Sequence, residues 1–276
     1  MVTVLATPIS LVWDVPPNGS LNTQDKRDLM TDVQVLAAIV AVIFVASFAR
    51  SAVGFGDGAI SMPLLLLFLP LERAAPLVGL MGFTLSCVIL AMDWKHVDFA
   101  AAKWLIAATA IGVPFGLWWQ TAVPETYTKV ALGVVLIAYG IRRLTDELVV
   151  PYLEKMPGLT LLTGLFAGVL GGAYTIPGVP VAVYGHVRQW PPTKFRATMQ
   201  GFFTPTYIVI LGGYAWQGHI TGDVLVRYGW SLPAILVGLA LGNWVNPRMP
   251  VATFRVIVRY ALAALGLLLV VQSLLG

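Results

Sequence analysis

The stretch "RSAVGFGDGAISMP", from Arg50 to Pro63, interrupts an otherwise apolar sequence. Its three glycines permit backbone conformations and close approaches that other residues resist. Its proline removes a backbone N–H donor, and Asp57 places an acid inside the break. Unpaired backbone groups are tolerated at membrane depth only where protein or a watery cavity surrounds them. The stretch therefore predicts a broken helix that lines a binding site within a membrane protein.

The composition identifies an integral membrane protein. The chain has 276 residues, of which 58% are hydrophobic and only 11% charged, and its mean hydropathy is +0.83. A soluble globular protein carries roughly 25% charged residues. The net charge of +4 fits the lysines and arginines of cytoplasmic loops. No clustered basic face is present, so the sequence does not predict nucleic-acid binding.

Several kinds of chemistry have no sequence support. Cys87 is the single cysteine, so an intramolecular disulfide is excluded, and the three histidines lie far apart without cysteine neighbours. The sequence predicts no metal site and no cofactor. A nucleophile–base pattern is also missing, which argues against an enzyme. No G-x-x-x-x-G-K-[ST] motif is present, so ATP does not supply the energy.

The chain divides into a polar start and a series of apolar segments. Residues 1–32 predict an extramembrane tail, since they lack the basic start and long apolar stretch of a signal peptide. The apolar segments number ten and lie near 33–53, 58–70, 74–92, 99–120, 127–143, 157–172, 176–187, 195–215, 224–244 and 253–274.

Three of these segments, the second, sixth and seventh, are short for a membrane crossing, which takes about 20 residues. Each borders a break rich in glycine and proline. Short, interrupted segments at corresponding places in two halves of a chain indicate a transporter's binding site. The alternative for the glycines is tight helix packing, which Gly164, Gly168 and Gly172 fit by their four-residue spacing.

The two halves of the membrane region, residues 33–150 and 151–276, resemble each other. The break "GFGDGAISMP" aligns with "GVLGGAYTIPGVP". The sequence predicts an all-α integral membrane protein made of two homologous repeats of about five helical segments each, with short, broken helices at the centre. Further matched positions share one offset: Gly116 with Gly242, Trp118 with Trp244, Pro124 with Pro250, Lys129 with Arg255 and Gly140 with Gly266.

An odd number of crossings per repeat places the second repeat upside down. Basic residues mark cytoplasmic loops, and they favour the side opposite the N-terminus, which predicts inverted repeats. The alternative is that one short segment per half is re-entrant, giving eight spans and parallel repeats. The basic residues on the N-terminal side are Lys26, Arg27, Arg73, Lys129 and Arg227, and those on the opposite side are Lys95, Arg142, Arg143, Lys155, Arg188, Lys194, Arg196, Arg248 and Arg255.

Both breaks resemble motifs of one transporter family. "GFGDGAISMPLLLLF" resembles the glycine-rich first motif of the TauE/SafE sulfite exporter family, and "GLFAGVLGGAYTIPGVPVAVY…KFRATMQGFF" resembles its second. The likeness covers about residues 35 to 275. It implies a bacterial inner-membrane protein that moves sulfite, sulfoacetate or related organosulfur anions, usually outward. Asp57 stands where the family has a run of glycines, and "AYTI" stands where its second motif has another glycine.

The candidate site combines both breaks with polar residues near them. Helix N-termini suit an anion, and arginine can grip a sulfonate with two hydrogen bonds. The alternatives are a capping or loop role for Asp57, membrane anchoring for the arginines and helix bridging for the uncharged donors. The candidate substrate-binding residues are Gly56, Asp57, Gly58, Pro63, Arg73, Gly171, Gly172, Tyr174, Pro177, Gly178, Tyr184, Arg196, Thr198 and Gln200.

These features predict a secondary-active exporter of a small sulfur-containing anion in the lipid bilayer. An acid at membrane depth is by default a functional group, so Asp57 is the candidate for binding a coupling proton or Na⁺. One alternative is a passive anion channel or a permease for another small organic anion. A membrane assembly factor is a third hypothesis, and it would tolerate changes to the central glycines.

Overall fold

The computed structural model describes residues 23–141, 156, 158–246 and 251–275. The described part of the chain contains no strand. Residues 1–22 of the predicted tail, the boundary between the predicted repeats, and Arg142, Arg143, Lys155 and Arg248 lie outside the described residues. The helices are α1 Thr23–Val53, α2 Asp57–Leu65, α3 Leu71–Asp93, α4 Phe99–Ala122, α5 Glu125–Ile141, α6 Leu159–Tyr174, α7 Gly178–Val187, α8 Pro192–Trp216, α9 Gly222–Val245 and α10 Val251–Leu275.

The helices confirm an all-α membrane protein. Within the described residues, four segments are long and apolar enough to cross a bilayer: Asp32–Val53, Leu71–His96, Ala102–Ala122 and Gly222–Val245. Large apolar side chains, among them Trp118 and Trp230, are more than half exposed, as a lipid-facing surface requires. The protein is therefore a multi-pass membrane protein.

The two predicted breaks separate helices. The first lies between α1 and α2, and the second between α6 and α7. Segment 58–70 is shorter as a helix than its apolar run, because α2 ends at Leu65 and residues 66–68 form a turn. The helix α1 begins at Thr23, inside the predicted tail, while its apolar part starts at Asp32.

Ion pairs fix the relative direction of α3 and α8, which pack against each other. Arg196 in the first turns of α8 pairs with Asp93 at the end of α3, with 3.1 Å between Nε and Oδ2. At the opposite end, Arg73 near the start of α3 lies 3.7 Å from Asp223 at the start of α9. The helices α3 and α8 therefore run antiparallel, which is the relation that inverted repeats require of equivalent helices.

Several helix pairs join one half of the chain to the other, and α1 with α9 and α4 with α6 are two of them. Glycines of α9 pack on α1, since a Cβ atom at Gly238 would lie 2.8 Å from Phe44 O. Glycines of α4 and α6 pack on each other in the same way. A Cβ atom at Gly164 of α6 would lie 2.6 Å from Leu105 O of α4. In the two repeats of five helices, α1 corresponds to α6 and α4 corresponds to α9. The pair α1–α9 is therefore equivalent to the pair α6–α4.

The path of the chain through α1, α2 and α3 bears on the number of crossings. Asn246 at the end of α9 donates to Ala52 O near the end of α1. The C-terminal ends of α1 and α9 therefore lie side by side. One pocket brings Asp32 of α1 together with Arg73 of α3 and Arg227 of α9. The chain thus returns through α2 to the end where the apolar part of α1 began. This path fits the prediction of five crossings in the first half, and the total number of crossings and the orientation of the repeats in a membrane stay predictions.

Candidate functional site

The two breaks meet in the interior of the protein. Gly56 in the first break has a φ of 106°, and Thr175 in the second has a φ of 59°, which is the left-handed region that a β-branched residue seldom adopts. Gly58 lies against the second break, since a Cβ atom there would sit 2.5 Å from Thr175 O. The absence of a side chain at Gly58 is what lets the breaks touch.

A narrow pocket lies between the breaks. It is lined by residues 55–59 and 175–179 together with Phe203 and Tyr207 of α8. Its volume of about 10 Å³ is room for about one water molecule. A sulfite or sulfonate would fit only after the breaks move apart, so the structure shows a closed pocket.

Both short helices begin at this pocket. The first residue of α2 is Asp57 and the first of α7 is Gly178. Neither N-cap residue, Gly56 or Pro177, caps its helix through a side chain, so first-turn N–H groups of both helices are left for another acceptor. Two positive helix ends at one cavity favour an anion or a carboxylate there.

A buried ion pair stands beside the pocket. Arg50 near the end of α1 is completely buried, and Asp57 is 2% exposed. Their contact runs from Arg50 Nη1 to Asp57 Oδ2 and measures 2.6 Å. Two charges survive in such an environment only when paired and hydrogen-bonded. Asp57 thus combines three properties: it begins α2, lines the pocket and neutralises an arginine.

One face of α8 completes the surroundings of Arg50. Its Nη2 donates to Gln200 Oε1 at 2.8 Å, and its Nη1 lies 3.4 Å from the Tyr207 hydroxyl. The Phe203 ring lies under the guanidinium, 4.3 Å from its carbon to the ring centroid. Gln200 also donates to Gly54 O in the first break, at 2.8 Å. The side chains of α8 therefore hold both the arginine and the backbone of the break.

The second break is held by hydroxyl groups. Thr175 Oγ1 donates to Ala75 O of α3 at 3.1 Å and lies 2.9 Å from the Tyr214 hydroxyl. The Tyr214 hydroxyl also donates to Gly172 O at 3.1 Å. These bonds stabilise the left-handed conformation of Thr175.

Several predicted site residues shape the breaks rather than line the pocket. Gly171 lies against Ile210 and Pro177, Gly172 lies against Val113 of α4, and Tyr174 is the buried last residue of α6. Pro63 is buried within α2. The predicted residues that do line the pocket are Gly56, Asp57, Gly58, Pro177 and Gly178.

Neither Arg73 nor Arg196 lines this pocket, although Arg196 packs on the first break, where a Cβ atom on Gly54 would lie 3.3 Å from Arg196 Cα. Arg73 pairs with Asp223, and Arg196 pairs with Asp93 and donates to Asn243 Oδ1 at 2.8 Å. These contacts lie at opposite ends of the antiparallel helices α3 and α8. The two arginines therefore join helix ends in this structure, and their contact with a substrate stays a prediction.

Tyr184 and Thr198 also have structural partners outside the pocket. The Tyr184 hydroxyl lies 2.9 Å from Thr160 Oγ1, and its ring packs edge-on against Trp190. Thr198 Oγ1 accepts from the backbone N–H of Asp98, just before α4, at 3.0 Å. Both side chains connect helices of the bundle. Among the residues that the structure describes, no group of three histidine, cysteine or acidic side chains forms a metal site.

The sequence prediction missed the residues of α8 that face the pocket. Phe203 and Tyr207 follow Gln200 by three and seven positions, a spacing that puts all three on one helix face. Arg50 had its own signal, a charge in an apolar helix just before a glycine-rich break. Its partners on α8 are 150 and 157 residues away in sequence, so their meeting was not visible.

Comparison with known proteins agrees with this architecture. The family model described as "Sulfite exporter TauE/SafE" matches residues 39–269, which is most of the chain. The chain belongs to the TauE/SafE family. A curated relative from Cupriavidus necator, named "Probable sulfite/organosulfonate exporter TauE", is 24% identical over 246 residues, which cover 87% of this chain and 95% of the relative. No solved structure matches the chain.

Membership of the TauE/SafE family fixes the class of activity. The family is one of exporters, so the chain is a membrane transporter and not an enzyme. The matched range contains both breaks, the buried ion pair and the face of α8 that surrounds it. The closed pocket between the breaks is thus the candidate TauE/SafE substrate site.

Proposed function

We propose that the protein is a secondary-active exporter of a small sulfur-containing anion, such as sulfite or an organosulfonate, and that the anion binds where the two breaks meet. The observation that carries this proposal is the meeting of the N-termini of α2 and α7 at one pocket. The substrate class rests on the family and on the name of the Cupriavidus relative. The proposed location is the bacterial inner membrane.

Asp57 is the proposed coupling group. Asp57 lines the pocket, and its carboxylate would repel a bound anion whenever its pairing with Arg50 were broken and no proton or Na⁺ neutralised it. The charged and titratable groups that face this carboxylate are the Arg50 guanidinium of α1 and the Tyr207 hydroxyl of α8, the latter at 3.4 Å. Binding of the anion and binding of the cation therefore favour each other, so the two would cross together and the direction of transport would follow the sum of their gradients.

Transport into proteoliposomes tests this function. We expect saturable uptake of radiolabelled sulfite or methanesulfonate that responds to a pH or Na⁺ gradient. Asp57→Asn should keep substrate exchange but lose the response to the gradient, because the amide cannot bind the proton. Absence of flux for both anions under every gradient would refute the function. Non-saturating flux would indicate a channel, and full gradient-driven transport by Asp57→Asn would refute the coupling role.

A further inference from the structure

The hydrogen bonding of Arg50 is incomplete. The guanidinium is fully buried, yet its Nε–H has no hydrogen-bond partner among the residues that the structure describes. Buried donors in native proteins are nearly always satisfied, and each exception asks for an explanation. The contact with Asp57 uses one nitrogen and one carboxylate oxygen, whereas arginine can hold an oxyanion by two parallel hydrogen bonds. The Asp57 carboxylate therefore uses only part of the hydrogen-bonding capacity of this guanidinium.

Three side chains separate Arg50 from the pocket. Asp57, Phe203 and Tyr207 all line the pocket, and the same three contact the guanidinium. Asp57 stands at the first position of α2, between Gly56 and Gly58, and all three residues line the pocket. A rotation of Asp57 away from Nη1 would open the guanidinium to a ligand in the pocket.

We infer that Arg50 is the residue that binds the transported oxyanion, and that the Asp57 carboxylate occupies its place between transport cycles. This inference rests on the proposed function and goes further by naming the ligand of the anion. The substrate and the carboxylate compete for one guanidinium. An anion with two or more oxygens on one sulfur can accept from more than one N–H of the guanidinium, which gives sulfite and sulfonates an advantage over a spherical anion such as chloride.

Calorimetric titration of the purified protein with sulfite and with methanesulfonate tests the competition. We expect Asp57→Asn to bind both anions at least tenfold more tightly than the native protein, because the internal competitor is gone. We expect the double variant Arg50→Met/Asp57→Asn to bind neither. This double variant buries no charge at the site, so it avoids the unpaired charge that destabilises single variants.

A matched control is a second buried pair outside the pocket. Arg227 Nε lies 2.9 Å from Asp223 on α9, and both side chains are mostly buried. Arg227→Met/Asp223→Asn likewise removes one arginine and one aspartate charge, together with the carboxylate 3.7 Å from Arg73, and it should bind both anions as the native protein does. If it lost binding as fully as the Arg50 double variant, the effect of Arg50 would be general destabilisation and the inference would be overturned.

The double variant Arg50→Lys/Asp57→Asn provides a further arm that keeps the positive charge. The lysine lacks the paired nitrogens, so we expect methanesulfonate binding at least tenfold weaker than that of Asp57→Asn alone. Equal binding by Asp57→Asn and by Arg50→Met/Asp57→Asn would overturn the inference about Arg50. Saturable transport by the native protein would in that case still support the proposed function. Absence of binding and transport by the native protein would overturn both.

Discussion

Gly58→Ala tests whether contact between the two breaks is needed for transport. The added Cβ atom would lie 2.5 Å from Thr175 O, whereas ordinary contacts to a Cβ begin at 3.4 Å. The breaks would have to move apart by about 1 Å, and such overpacking costs about 1–3 kcal/mol. The backbone of the second break cannot shift easily, because Thr175 forms hydrogen bonds with Gly171 O, Ala75 O and the Tyr214 hydroxyl.

That cost falls on the closed state in which the breaks touch. A penalty of about 1–3 kcal/mol lowers the population of this state relative to open states by roughly 5- to 150-fold. We expect uptake of sulfite into proteoliposomes to fall at least fivefold and the thermal unfolding midpoint in detergent to drop. Gly58→Leu, with a larger side chain at the same contact, should abolish uptake while the protein still inserts.

Gly212→Ala is the matched control for this experiment. A Cβ atom at Gly212 of α8 meets no atom of the described residues within 4 Å, and alanine favours a helix over glycine by about 0.5–1 kcal/mol. We therefore expect unchanged transport and an equal or higher unfolding midpoint. Native transport and an unaltered midpoint in Gly58→Ala would refute the reasoning, since the breaks would then tolerate a side chain between them.

Two further changes test the supports of the site. Tyr214→Phe removes the hydroxyl that forms hydrogen bonds with Thr175 and Gly172. The loss should lower the free energy of unfolding by about 1–2 kcal/mol. An unchanged denaturation midpoint would show that these hydrogen bonds contribute no net stability. Gly168→Ala places a methyl group against Gly112 and Thr109 of α4, so we expect a lower yield of monodisperse protein in gel filtration, with Gly222→Ala, which meets open space, as control. A normal elution profile for Gly168→Ala would contradict close packing of α4 on α6.

The positions of the breaks were visible in the sequence, because several glycines cluster within a few residues there and a proline follows them. The short helices α2 and α7 lie where segments 58–70 and 176–187 were predicted. Asp57 was predicted at the first break and lies at the start of α2. Local composition was sufficient for these features, since each depends on the residues that stand next to it.

The partners of charged groups that stand far apart in the chain were not visible in the sequence, whereas Arg50 and Asp57 stand only seven residues apart. Arg73 and Arg196 occupy matched positions in the two halves and were predicted to bind substrate, but the carboxylates beside them belong to residues distant in sequence, Asp223 and Asp93. An arginine in an apolar segment suits an ion pair as well as an anion site. Only the packing of α3, α8 and α9 decides which partner each arginine meets.

The cross-pairing of α1 with α9, and of α4 with α6, has a consequence for biogenesis. Ser51 of α1 donates to Leu239 O, 188 residues later in the chain. At a synthesis rate of about 5–20 residues per second, this partner of α1 is synthesised on the order of 10–40 s after α1 itself. Arg50 waits in the same helix for Gln200. Until then Ser51 lacks its acceptor and Arg50 lacks its partners on α8, although Asp57 is already present, so we expect the insertion machinery to retain α1 beyond its own synthesis. A half-length chain would leave this helix without its partner.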